Sequence, residues 1–381
     1  MRVGLVAGEY PPMQGGVGAF TREVARAMIS QGHEVQLITR KQIQSGDDGI
    51  QIAPWIGERW GWNSLPLIAK WIAESGIDIL NIQFQTAAFD MHPSIHFLPS
   101  VRRSTPTVVT FHDLRAPYLF PKAGPVRERI VRKLARDADG VIATDRADVK
   151  TLSEDWHVSA VSWIPIGSNI STLLPPDYDR DECRRTFGVT LNDLLISYFG
   201  FLNESKGGLV LIDALAKLVA EGVPAHLIMI GGSAGSSDPT NLAYGQRVDA
   251  AIEAAELQER VHWTGFVDDQ AVTGCFLASD ITALPYQDGV SLRRGTLMAA
   301  LAHRRAIVTT HPETDAPELA GAVETIPANN PNALAVAIQH LWQNPSRRLE
   351  LEQSARRAAQ NFTWDTIARN TIDFYECVLA K

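Results

Sequence analysis

Short apolar runs at Arg2–Ala7, Glu34–Thr39, Ile77–Ile82, Thr107–Phe111, Gly140–Ala143 and Ala160–Ile164 alternate with stretches whose apolar residues recur at helical spacing. Val17–Ser30, Leu65–Glu74 and Val126–Arg136 are such stretches. Ser171–Asp179, broken by Pro175 and Pro176, interrupts the rhythm and reads as a linker. The alternation then restarts. Strands are expected at Leu194–Phe199, Ala225–Ile230, Val261–Thr264, Ile281–Leu284 and Ala306–Thr309, with helices at Gly208–Glu221, Gln246–Glu256 and Arg294–His303. From Pro331 the pattern is purely helical and ends in Trp364–Leu379. Near-continuous apolar strands followed by amphipathic helices predict parallel sheets covered on both faces. Two such sets, split near residue 170, predict an α/β protein of two doubly wound domains facing each other across a cleft. Open parallel sheets bind ligands beyond their carboxyl strand ends, so the chemistry is sought in the loops after strands.

Composition narrows the class. Apolar residues make up 45% and charged residues 20% of the chain, enough for sizeable cores and too apolar for a disordered protein. A net charge of −8 argues against a broad electrostatic grip on nucleic acid. Cys183, Cys275 and Cys377 form no C-x-x-C and are expected as buried thiols in a reducing compartment. No apolar run is long enough to span a bilayer. The first residues read as a strand, so the default expectation is a cytoplasmic protein.

Four loops carry candidate chemistry. In Gly8–Gly18 the Gly15-Gly16 pair precedes a helix, either to allow the turn or to bring backbone N–H groups to a ligand. It does not match G-x-G-x-x-G, which weighs against a dehydrogenase. His112-Asp113 closes a strand; the imidazole either is satisfied by backbone or orients a hydroxyl. Lys206, in Phe199–Gly208, stands just before a long helix, where a point charge and helix N–H groups form an anion pocket. In Leu284–Ala300, Gly289 permits close backbone approach and Ser291 can cap the next helix. Arg293 and Arg294 lie at that helix start, where unpaired cations cost about 0.3–1 kcal/mol each and a bound anion reverses the sign. Salt bridges to acidic neighbours are the competing reading.

The order and spacing of these motifs resemble the GT-B glycosyltransferases of family 4, the retaining, sugar-nucleotide-dependent group. The resemblance runs through Pro11-Pro12…Gly15-Gly16-Val17-Gly18, Phe111-His112-Asp113, Ile164-Pro165-Ile166-Gly167, Gly200…Lys206-Gly207, Ile230-Gly231-Gly232, Val261–Phe266 and Pro285…Asp288-Gly289-Val290-Ser291. It implies a Rossmann-like acceptor-side domain over 1–170, joined by the last helix, about 363–381, and a nucleotide-sugar-binding domain over 171–362. It places Gly265, Phe266, Val267 and Thr296 at the nucleoside. Gly16, Val17, Lys206, Leu292, Arg293 and Arg294 fall at the donor diphosphate, and His112, Asp288, Gly289, Val290 and Ser291 at the sugar. His112, Asp288 and Lys206 become the catalytic residues. The implied reaction moves a hexose-type sugar from a nucleoside-diphosphate sugar to a hydroxyl of a glycan, lipid-linked or small-molecule acceptor, with no cofactor.

The chain departs from the family pattern twice. Phe201 stands where an arginine usually precedes the lysine by five residues. Asp288 and Thr296 stand for the two glutamates of the Glu–seven residues–Glu motif, the second of which usually holds the ribose hydroxyls. One or both of Arg293 and Arg294 are expected to make up the lost cation. Asp-x-Asp pairs at Asp137/Asp139, Asp177/Asp179 and Asp179/Asp181 lie outside strand-end loops and read as solvated acids, so no metal is expected. The basic helix at Pro125–Asp137 reads first as a cover for a core; contact with anionic lipid at the inner membrane face is the alternative. Two other classes share these loops. One is a nucleotide-sugar-binding regulatory protein, for which Phe201 and Thr296 mark lost catalysis; the other is a sugar-nucleotide epimerase. Retention of Asp288, Lys206 and His112 favours transfer.

Overall fold

The computed structural model describes residues 1–13, 15–43, 49–101, 105–114, 124–232 and 239–381. The chain divides into two compact units, Met1–Asn169 with Phe362–Lys381, and Ile170–Asn361. The first unit is built on a seven-stranded sheet of β1 (Arg2–Ala7), β2 (Glu34–Arg40), β3 (Gln51–Ile56), β4 (Ile79–Phe84), β5 (Thr107–Phe111), β6 (Gly140–Ala143) and β7 (Val161–Trp163), in the order β3-β2-β1-β4-β5-β6-β7. The second has six strands, β8 (Leu194–Phe199), β9 (Ala225–Ile230), β10 (Val261–Gly265), β11 (Ile281–Leu284), β12 (Ala306–Thr310) and β13 (Glu324–Ile326), in the order β10-β9-β8-β11-β12-β13. The pairings are parallel, as apolar strands covered by helices on both faces require. In each sheet the chain runs outward to one edge and then returns to the other side of its first strand. The order therefore reverses between β1 and β4, and again between β8 and β11, and these are the crevices where open α/β sheets take ligands.

In the first unit, Arg40 on β2 is buried and donates to the carbonyls of Gly8, Glu58 and Ala88 and to Asp90. It thereby fixes the exit from β1. A Cβ on Gly8 would overlap the Ala88 carbonyl, so glycine is required at that packing point. The helix Trp364–Leu379 completes this unit's core. Its Tyr375 is fully buried and hydrogen-bonds Asn81 on β4, which also pairs with Thr110 on β5. Val378 and Phe374 close over Gly140.

In the second unit Arg184 is 1% exposed. Its guanidinium donates to the carbonyls of Thr190, Asp193 and Ala278 and to Asp280, whose carboxylate also accepts from Leu195 N–H at the start of β8.

Several expectations are corrected. The edge strands β3 and β13 carry no clear apolar run; β3 contains Pro54, which only an edge tolerates. Short helices at Arg180–Thr186 and Asp269–Ala278 are added. The helix expected at Gln246–Glu256 starts at Pro239, and the one expected from Arg294 starts at Gly295. Ser171–Asp179 packs into the second unit through Thr273 to Ser171 and Tyr178 to Gly274. Cys377 is exposed and Cys183 half-buried, so of the three thiols Cys275 is the buried one, and Cys183 and Cys275, distant in sequence, are neighbours.

The acids of the Asp-x-Asp pairs are exposed, but three of them hold local structure. Asp137 pairs with Lys133, Asp139 accepts from Thr107 N–H, and Asp179 caps a helix by accepting from Glu182 N–H. The basic helix spans Gly124–Asp137 and buries Val131, Leu134 and Ala135, while Arg136 and Arg132 donate to the carbonyls of Trp156 and Asp155. The side chains of its residues 124–127 lie outside the described residues.

Removing the Arg184 guanidinium unpairs the buried Ala278 carbonyl and the half-buried carbonyls of Thr190 and Asp193, and leaves Asp280 with Arg180 as its remaining cation. Arg184→Ala is expected to lower the unfolding free energy by about 2–3 kcal/mol in chemical denaturation, the upper part of the cost of leaving a buried acceptor unsatisfied. Arg2→Ala, which breaks an exposed pair with Asp78, should cost about 0–1 kcal/mol. Equal costs for the two would refute the buried-hub reading.

Candidate functional site

The loops after β8 and β11, which flank the crevice of the second sheet, are locked to each other. Gln287 N–H donates to Ser205 C=O at 2.8 Å. Gly207 takes a left-handed conformation (φ 71°) in which a Cβ would overlap the Pro285 carbonyl oxygen. Asn203 then sets the lysine: its side-chain oxygen accepts from Ser205 Oγ at 3.0 Å and from Lys206 N–H at 3.2 Å. The Lys206 ammonium lies 3.1 Å from where a Cβ on Gly200 would stand, and Gly200 is itself left-handed at φ 110°.

Lys206 is half-buried, and among the described residues its ammonium has no acceptor. Burial, and after it the nearby Arg294 guanidinium, push its pKa down to about 8. Arg294 lies over the Tyr286 ring at 4.7 Å, reaches Ser205 Oγ at 3.5 Å, and forms an ion pair with Asp288. Tyr286 is buried, with its hydroxyl 2.6 Å from Thr296 Oγ1. The crevice thus brings together two neighbouring cations and the Asp288 carboxylate.

The Asp288–Leu292 turn adds donors. Val290 and Leu292 bury their side chains. Among the described residues, the N–H groups of Gly289, Val290, Ser291 and Leu292 donate to no protein acceptor. Unpaired N–H groups at such a buried turn are costly unless water or a ligand takes them. Two expectations here are corrected. Ser291 does not cap the helix Gly295–Ala302; its Oγ accepts from Arg293 N–H inside the loop, and Arg294 stands at the cap position. The close approach at Gly289 (φ 76°) is made by the protein's own His311 carbonyl and Glu313, so this glycine serves packing. Of the arginine pair it is Arg294 that joins Lys206.

At the carboxyl end of β10, Gly265 pairs with Gly231 in an isolated bridge, and Thr264 Oγ1 accepts from Gly231 N–H at 3.0 Å. Phe266 follows at 83% exposed, with Val267 partly exposed beside it. Phe201 is 44% exposed. Both aromatics stand at the ends of β10 and β8, exposed among the described residues. Thr296 is engaged with Tyr286 and packs its methyl against Gly200.

In the first unit His112 follows β5 and is held by a residue that the sequence reading passed over. Its Nε2 lies 3.0 Å from Gln83 Oε1 on β4, and its ring meets Phe20 edge-on at 4.7 Å. With that oxygen as acceptor, the ring proton sits on Nε2 and Nδ1 is left as an acceptor. Burial pushes the pKa down to about 3, so the imidazole is neutral at physiological pH. Asp113 does not support His112; it accepts from Gln85 Nε2 at 3.1 Å.

The Gly15-Gly16 loop is also corrected. Glu9 Oε1 accepts from Val17 N–H at 3.0 Å and Gly18 N–H at 3.2 Å, so the helix start is already occupied by an internal carboxylate. A Cβ on Gly15 would overlap that carboxylate, which is why glycine is needed there. Gly16 has open space around its Cα. Among the described residues no three His, Cys, Asp or Glu side chains are grouped to hold a metal, and no helix is long and apolar enough to cross a membrane.

Residues 15–167 match the family model for a glycosyl transferase 4-like domain, and residues 193–344 match that for glycosyl transferases group 1. D-inositol 3-phosphate glycosyltransferases resemble the chain along most of its length. The one from Rhodococcus erythropolis is 24% identical over 95% of this chain and 86% of its own. The one from Jonesia denitrificans is 26% identical over 95% and 91%. Among solved structures, a glycosyltransferase from Rickettsia africae superposes with a TM-score of 0.76 at 19% identity, covering 99% of this chain and 98% of its own. The Anabaena protein HepE in complex with UDP gives 0.76 at 19% identity, covering 99% and 100%. These likenesses establish the fold.

A neutral His112 predicts that its imidazole signal in NMR does not titrate between pH 9 and about pH 5. A midpoint near the ordinary histidine value of about 6.5 would show that the ring is solvated rather than enclosed by Gln83 and Phe20.

Proposed function

This chain belongs to the family 4 (group 1) glycosyltransferases, and on that premise we propose that it moves a hexose-type sugar, with retention, from a nucleoside-diphosphate sugar to a hydroxyl acceptor in glycan, polysaccharide or glycolipid synthesis. The observation that carries the proposal is the placement of Lys206 and Arg294 beside unpaired backbone N–H groups in the β8/β11 crevice. Solved relatives support the donor class, since HepE structures hold UDP, UDP with glucose, and UDP-glucose.

In this reading the second unit binds the donor. Lys206 and Arg294 take the diphosphate, and the N–H groups of Gly289–Leu292 take phosphate and sugar oxygens. Phe266 and Val267 offer apolar surface to the base. As the glycosidic bond breaks, negative charge grows on the leaving phosphate and the sugar becomes oxocarbenium-like. Fixed cations and N–H groups stabilise that charge, each typically worth roughly 10²–10³ in rate. Attack on the face from which the diphosphate departs lets the leaving oxygen take the acceptor proton, so no carboxylate base is required. The two cations supply the neutralisation, and no metal is assigned. Neutral His112 contributes Nδ1 as an acceptor for a sugar hydroxyl. Thr296, tied to Tyr286, is not given a ribose contact.

A thermal-shift screen of nucleoside diphosphates and their sugars, in EDTA, identifies the donor. Binding at 100 times Kd stabilises by about 2.7 kcal/mol. Lys206→Ala is expected to abolish that shift and to lower kcat by about 10²–10³. Affinity of the wild type should weaken above pH 8, by up to about tenfold per unit, because the unliganded lysine loses its proton there. Protection that survives Lys206→Ala, or no pH dependence between 7 and 9, would overturn the assignment.

A further inference from the structure

Asp288 stands apart in the crevice because its charge opposes the proposed ligand while it pairs with one of the cations meant to hold that ligand. We propose that Asp288 is a specificity-determining residue that competes with the diphosphate for Arg294 and so sets the site against a bare diphosphate. The inference rests on the reading of Lys206 and Arg294 as the diphosphate grip, and goes beyond it.

Arg294 is positioned by contacts that do not need Asp288. One is the face of Tyr286, itself anchored through Thr296, and the other is Ser205 Oγ, which meets Nη1. The ion pair with Asp288 uses the other terminal nitrogen, Nη2. Its partners are 22% and 37% exposed, so the pair is open to exchange with an incoming anion. The main chain that carries Asp288 is packed closely at the next residue, where a Cβ on Gly289 would meet the His311 carbonyl. When a diphosphate engages Lys206 and Arg294, the Asp288 carboxylate loses its cation and faces a second anion. A carboxylate left so is unfavourable unless hydroxyl donors reach it. The sugar of an intact donor brings hydroxyls, whereas a free diphosphate brings none. Asp288 therefore penalises the leaving group after transfer and spares the donor before it, which favours release of the product.

The test is calorimetric titration of inorganic pyrophosphate, in EDTA, into the full-length wild type, Asp288→Asn, Arg294→Gln and the double variant, each first shown by thermal unfolding to be folded. Asp288→Ala replaces the Asn variant if the latter does not fold. Removing the competing carboxylate is expected to tighten pyrophosphate binding about two- to fivefold, the scale of a half-exposed ion pair. The same change in the Arg294→Gln background should have a smaller effect, since only the direct repulsion between carboxylate and pyrophosphate remains there, and the difference isolates the coupling. Pyrophosphate that binds only once Asp288 is neutralised also supports the inference. Equal affinities in wild type and Asp288→Asn, or the same tightening without Arg294, overturn it and leave the diphosphate site standing. No binding to any of the four proteins overturns the diphosphate site itself.

Discussion

Two cations held beside each other with one carboxylate for company set the terms for the second unit. Lysine and arginine repel, and the half-buried crevice that holds them strips away part of their hydration. The protein accepts this because the strand order fixes where β8 and β11 end, and the loops leaving them are tied by main-chain contacts at Ser205, Gly207, Pro285 and Gln287. Neither loop can relax without disturbing the other. The charge imbalance is thus stored in a rigid frame, which is the preorganisation that stabilising a leaving phosphate requires.

The first unit solves a similar local problem in the opposite sense. Its glycine-containing turn also leads into a helix whose N–H groups point outward, but Glu9 reaches back and fills them. Donors that stay without a protein acceptor in the described residues of one unit are closed by an internal carboxylate in the other. His112 follows the same economy of charge: enclosed by Gln83 and Phe20, it stays a neutral dipole.

The strands and their order of appearance were legible because parallel strands covered on both faces must be apolar throughout. Edge strands escape that requirement, and β3, with Pro54, and β13 were accordingly invisible. The loops bearing Lys206, Asp288 and Arg294 were legible as strand-end loops rich in glycine and charge. Their pairing was not, since nothing in a linear reading says that Arg294 rather than Arg293 turns toward Asp288, or that Tyr286 lies beneath it. Gln83 is part of a buried strand, where a polar residue carries no period, and so the partner of His112 was missed in favour of its neighbour Asp113. Glu9 was passed over for a similar reason. A carboxylate six residues before a glycine pair has no spacing signature, although it explains that pair better than a ligand does.

The return of the last helix to the first unit has a consequence for how the molecule is made. Tyr375 and Val378 are interior residues of a core whose other walls come from the first half of the chain. During synthesis that core stays open on one side until Trp364–Leu379 has left the ribosome, while Ile170–Asn361 is contiguous and already whole by then. The second unit can therefore fold first, and the first unit to be translated is the last to be sealed.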